Sequence, residues 1–65
     1  MKDMSLEELK EYAQINLAKY KKAQDEYENA FDESEEILIE DKIDLYRTRV
    51  RKAKAKIREL EAQED

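Results

Sequence analysis

The chain has no cysteine, so it offers neither a disulfide framework nor a thiolate metal site, and its redox compartment stays open. It has no histidine either. Without both, the usual general bases, nucleophiles and soft metal ligands are missing. The absence of glycine excludes a glycine-rich phosphate loop and leaves any sharp turn to other residue types. The longest uncharged apolar run is "ILI", Ile37 to Ile39, whereas a signal peptide or a membrane span needs far more. Two serines and one threonine remain as hydroxyl nucleophiles, and Ser5 has the position of a helix cap. These absences lead us to expect a soluble, cytoplasmic protein with no enzymatic role, no cofactor, no metal and no small-molecule substrate. Met1 opens the chain without a recognisable tag, which reads as a complete small protein.

What the chain does have is charge: 48% of its 65 residues are Asp, Glu, Lys or Arg, with a net of −5. That length allows a single domain. Such compositions belong to helical bundles, coiled coils and charged disordered segments, and periodicity decides among them. The motif "MSLEEL" opens a helix, with Ser5 as N-cap, Glu8 completing a capping box, and Met4 and Leu9 spaced as a hydrophobic staple. From there Leu6, Leu9, Ala13, Asn16, Tyr20, Ala23, Tyr27 and Ala30 recur at alternating spacings of three and four, which is one helix face. A second, more apolar seam runs Ile39, Ile43, Tyr46, Val50, Ala53, Ile57, Leu60. The two seams are out of phase by an amount that neither a three- nor a four-residue insertion explains, which argues against one continuous coiled-coil helix.

Between the seams, "FDESEE" supplies Asp32 or Ser34 as a cap for a new helix, with Glu35 and Glu36 in its first turn. The fold class expected is all-α: a coiled-coil-like antiparallel two-helix hairpin over residues 1–65. Helix one spans about residues 5–31, the turn about 31–35 and helix two about 35–62. Folding back there sets Tyr27 beside Ile39, Ala23 beside Ile43, Tyr20 beside Tyr46, Ala13 beside Ala53, Leu9 beside Ile57 and Leu6 beside Leu60. Asn16, beside Val50, breaks the pattern. Either it sits on the seam and fixes register, or Leu17 takes the core position and Asn16 faces water.

A lone hairpin buries only one stripe per helix, so self-association into a four-helix bundle is expected. Tyr12, Ile15, Leu17, Phe31, Ile37, Leu38 and Leu45 lie off the seams. Of these, Phe31, Ile37, Leu38 and Leu45 are the candidate contacts for a dimer or another protein.

Charge is laid down in blocks. Residues 25–44 hold ten acids and a single lysine, and residues 45–58 hold seven cations and no acid. The tail from Glu59 to Asp65 is acidic again and is expected to fray, because negative charge at a helix C-terminus opposes the macrodipole. In helix two, Arg47–Arg51, Lys52–Lys56 and Lys54–Arg58 are like-charge pairs four apart, each costing roughly 0.2–0.5 kcal/mol in an isolated helix. Glu7, Glu8 and Glu11 lie opposite this stretch, and Lys22 opposite Asp44, so the cations are expected to be partly answered within the chain.

The leading functional expectation is a protein that binds another protein stoichiometrically, as adaptor, inhibitor or assembly component, in homodimeric form. One alternative is RNA or DNA binding along Arg47, Arg51, Lys54 and Arg58, set against the overall acidity and the lack of aromatics suited to base stacking among those cations. Another is capture of a basic protein surface, or nucleic-acid mimicry, by Glu33, Glu35, Glu36 and Glu40 at the acidic tip. The opening "MKDMSLEEL" and the basic "RTRVRKAKAKIREL" resemble the small two-helix-hairpin protein of the large ribosomal subunit. That family is basic throughout, and the acidic block at residues 25–44 departs from it. The hairpin architecture also resembles the plasmid-encoded ROP family of RNA-binding hairpin dimers, in shape and without a shared motif. Neither resemblance carries a functional residue over.

Overall fold

The computed structural model describes residues 4–63. Two helices, α1 (Leu6–Glu28) and α2 (Glu33–Gln63), pack antiparallel into a rod of 50 × 16 × 14 Å. The N-terminus of α1 forms as the sequence dictates. Ser5 Oγ accepts from the Glu8 N–H at 3.2 Å, and Glu8 Oε1 accepts from the Ser5 N–H at 3.1 Å, which closes the capping box. Met4 is half-buried and Leu9 wholly so.

The turn is made without glycine. α1 ends at Glu28, about three residues before the expected boundary, and α2 begins at Glu33, about two residues early. Asn29 causes the first difference: it leaves the helix at φ −103°, ψ 8°, its N–H turns back to Glu26 O at 3.2 Å, and its side-chain amide donates to Asp25 O at 2.9 Å. No described residue takes positive φ, so the turn has no need of glycine. Asp32 causes the second. Its Oδ1 accepts from the Glu35 N–H at 2.9 Å, and Glu35 Oε2 reaches back to the Phe31 N–H at 3.1 Å. With its carboxylate on the Glu35 N–H, and Glu35 in turn holding the residue before the cap, Asp32 rather than Ser34 caps α2. Glu33, Glu35 and Glu36 then sit in the first turn, where the macrodipole favours carboxylates.

The core is a single seam. Leu9, Ala13, Asn16 and Ala23 of α1 are buried against Ile39, Val50 and Ala53 of α2. The cross-helix contacts nearer the turn fit the expected layering, with Tyr27 Oη donating to Glu40 Oε1 at 3.1 Å and Lys19 over the Tyr46 ring. At the open end, by contrast, Lys10 pairs at 3.6 Å with Glu61, about five residues beyond the position expected to face it. Asn16 is 3% exposed, so it takes the seam position. Its Nδ2 donates to Tyr12 O at 2.8 Å, within its own helix, and so ties nothing across to α2. Among the described residues, no buried side-chain polar atom lacks a partner.

α2 is helical through Glu59–Gln63, most of the stretch expected to fray; Glu64 and Asp65 lie outside the described residues. The Lys56–Glu59 and Lys10–Glu61 pairs, each 3.6 Å, tie down that last part. Among the described residues, no helix is long and apolar enough to cross a membrane.

Candidate functional site: two unlike sides of one hairpin

Rows seven residues apart decide which side chains share a surface. On α2, Leu38, Lys42, Leu45 and Arg49 form one such row at spacings of four, three and four. On α1, Ile15, Lys19 and Lys22 do the same. Lys19, Lys22, Glu26, Lys42 and Tyr46 line a single shallow groove of about 240 Å³, which puts both rows on the same side of the hairpin. There Lys19 Nζ and Arg49 Cζ each stand 5.9 Å from the centroid of the Tyr46 ring, a distance at which the ring quadrupole attracts cations. Ile15, Leu38 and Leu45 are 53%, 65% and 46% exposed. One side of the molecule is therefore apolar and cationic together, with Glu26 the acid within its groove.

The opposite side is built differently. Ile37, Glu40, Asp44, Arg47, Arg51, Lys54 and Arg58 follow one another along it at spacings of three or four. Glu40, Arg47, Lys54 and Glu61 form a seven-residue row, and the Glu61–Lys10 pair places that row beside Lys10, Leu17 and Gln24 of α1. Leu17 is half-buried here and Ile37 is 58% exposed. Gln24 Nε2 donates to Tyr20 Oη at 3.0 Å, and the Tyr27 hydroxyl donates to Glu40, so two tyrosines turn their polar ends to this side. The Glu40 carboxylate, joined by Glu36, raises the Tyr27 phenol above its ordinary value, because a phenolate would face negative charge and lose its bond.

The expected site residues are thus divided by the structure. Leu38 and Leu45 share the groove side, Ile37 lies on the other, and Phe31 stands at the turn, 96% exposed. Arg47, Arg51, Lys54 and Arg58 do form one stripe, on the side of Ile37. Of the four tip acids, Glu35 is engaged by the turn and Glu40 by Tyr27, while Glu33 is exposed and Glu36 half-buried.

The charge pairing differs from the sequence expectation. The ion pairs among the described residues are Lys10–Glu61, Arg47–Asp44 at 2.8 Å and Lys56–Glu59. Glu7, Glu8 and Glu11 pair with no cation of α2. Glu8 is held in the cap, where bonds from the Ser5 backbone and side chain keep its carboxyl below the usual range. Glu7 and Glu11 stand outside the row that flanks the seam on this side, whereas Lys10 stands in it. Lys22 does not meet Asp44 either, since Asp44 turns to Arg47 one helical turn on. Arg49, Arg51, Lys52, Lys54 and Arg58 make no ion pair within the described residues.

The groove of Lys19, Lys22 and Lys42 is what sequence reasoning missed. Its signal was available in the antiparallel register, because all three positions flank the two seams on the same side. Among the described residues, no group of three or more His, Cys, Asp or Glu is placed to hold a metal ion. Comparison with protein families, curated proteins and solved structures finds no match.

Proposed function

We propose that this is a small non-catalytic interaction protein that acts by stoichiometric binding, as a homodimer in which two hairpins make a four-helix bundle. The observation that carries this reading is the thinness of the hairpin's own core. Among the described residues six apolar ones are buried, three of them alanine, and Leu9 is the one large side chain buried completely. The surface is 5297 Å². A compact monomer of this mass exposes about 4,400 Å². The excess of about 900 Å² goes with the elongated 50 × 16 × 14 Å shape, which leaves long apolar-bearing sides open to a partner.

Two unlike sides suit a protein that meets both itself and another partner. Ile15, Leu38 and Leu45, set among lysines, offer a contact for a protein segment that is apolar and acidic; Phe31 extends the exposed apolar surface at the turn. Sedimentation equilibrium across the micromolar range tests the dimer. A concentration-dependent dimer is expected, and a helical monomer at every concentration removes the reading.

A second reading, nucleic-acid binding along Arg47, Arg51, Lys54 and Arg58, is favoured by the lack of ion pairs at the last three. It requires duplex or single-stranded probes to bind at low salt and dissociate steeply as salt rises. No binding at low salt ends it.

A further inference from the structure

How a second copy fits is decided by the contrast between the two sides. On the groove side, face-to-face packing sets Lys19, Lys22, Lys42 and Arg49 against the same four residues of the other copy, with Glu26 the one acid that lines the groove itself. Self-pairing there gathers like charges in a desolvated interface. The opposite side has a polarity instead. Toward the turn it carries Glu40 and Asp44, and toward the open end Arg51, Lys54 and Arg58, with Glu61 beyond them already paired with Lys10 of its own hairpin.

We propose that the second copy packs on this second side, antiparallel, with the turn of one hairpin over the open end of the other. The inference rests on the homodimer reading and adds to it a side and a direction. A twofold axis lying in the interface at the level of Leu17 and Arg47 places α2 on α2 and α1 on α1, and the two Arg47 side chains nearest the axis each keep Asp44 of their own helix as counter-ion. Glu40 and Asp44 of each copy then stand over Lys54 and Arg51 of the other. Leu17, Ile37 and the rings of Tyr20 and Tyr27, none of them buried in the hairpin, supply the apolar strip between the charges. A parallel pairing on this side brings Glu40 and Asp44 of one copy to the same end as Glu40 and Asp44 of the other, and gathers Arg51, Lys54 and Arg58 of both at the opposite end. The antiparallel pair also gives partners to cations that have none within the described hairpin, and it leaves the Ile15, Leu38 and Leu45 side open.

The test uses the full chain, with helicity checked by circular dichroism. Glu40→Lys with Asp44→Lys, and separately Arg51→Glu with Lys54→Glu, each weaken the dimer about tenfold or more. An equimolar mixture of the two double variants restores it as a heterodimer. Because the chain lacks cysteine, Ser34→Cys at the turn and Ala62→Cys at the open end report polarity through a short bismaleimide. The mixed Ser34→Cys/Ala62→Cys product is expected to dominate. Predominant coupling of Ser34→Cys to itself, or no rescue in the charge-swapped mixture, overturns the proposal while leaving a dimer standing. A chain that stays monomeric overturns both.

Discussion

Asn16 shows how a polar residue occupies a seam without specifying it. In many helical pairs a buried asparagine bonds across the interface and so selects register. Here the amide is spent on Tyr12 O, four residues back, and nothing on α2 depends on it. Asn16→Ala therefore leaves no buried group stranded and gains helix propensity of about 0.6 kcal/mol. Its stability is expected within about 1 kcal/mol of wild type by urea denaturation, with the oligomeric state unchanged. A loss well beyond that means that Asn16 ties the helices together after all. Ser5 contrasts with it, because both halves of a reciprocal cap depend on Ser5. Ser5→Ala costs about 1 kcal/mol at neutral pH. The folded Glu8 carboxyl titrates below its unfolded value, so its contribution is present above the unfolded value and is lost as pH falls through the folded one. The Ser5→Ala penalty should shrink in acid through that window. Tyr27 has the opposite sign. Its phenol titrates above the unfolded value, so its bond to Glu40 contributes below the unfolded value and is lost as pH rises through the folded one. Absorbance titration of wild type against Glu40→Gln should show one phenol moving to lower pH in the variant.

At the level of the elements, the turn carries the clearest lesson. A hairpin sequence without glycine looks handicapped, yet Asn29 turns the chain at negative φ and Asp32 restarts it. Asn29→Gly therefore relieves no strain. It removes the amide bond to Asp25 O and adds backbone entropy to the unfolded chain, so the melting temperature is expected to fall. Asp32→Ala should cost about 1 kcal/mol, and Ser34→Ala much less, because Asp32 holds the cap. Both helices and their register were legible in the sequence, since the seams of Leu9, Ala13, Ala23 and of Ile39, Val50, Ala53 repeat at heptad spacing. The helix ends were less so. Asp32 and Ser34 are near-equal caps by residue type, and the choice turned on where Glu35 reaches. The candidate site was legible in its members and not in its grouping. Ile37 and Leu38 are neighbours in sequence, yet about 100° of helical rotation sends them to opposite sides. The charge partners were misread because facing residues in a register were taken as paired residues, and only the rows flanking the seam bring side chains within reach.

At the scale of the whole molecule, the homodimer proposed here would tie the stability of a rod with so little buried apolar surface to association. The melting temperature is accordingly expected to rise with protein concentration, and to fall in high salt if opposite charges hold the copies together. A melting temperature independent of concentration over a hundredfold range identifies a self-sufficient hairpin. The acid-then-base layout along the chain has one more effect, on how the folded rod meets proteases. From Ala23 to Asp41 there is no lysine or arginine, and every one from Lys10 to Arg58 lies inside α1 or α2. Trypsin therefore finds no cleavage point in the turn and cuts between those residues only when a helix opens. A glutamate-specific protease meets Glu28 and Glu33 at the two edges of the turn. The first enzyme reads the opening of the rod, and the second reads the exposure of its tip.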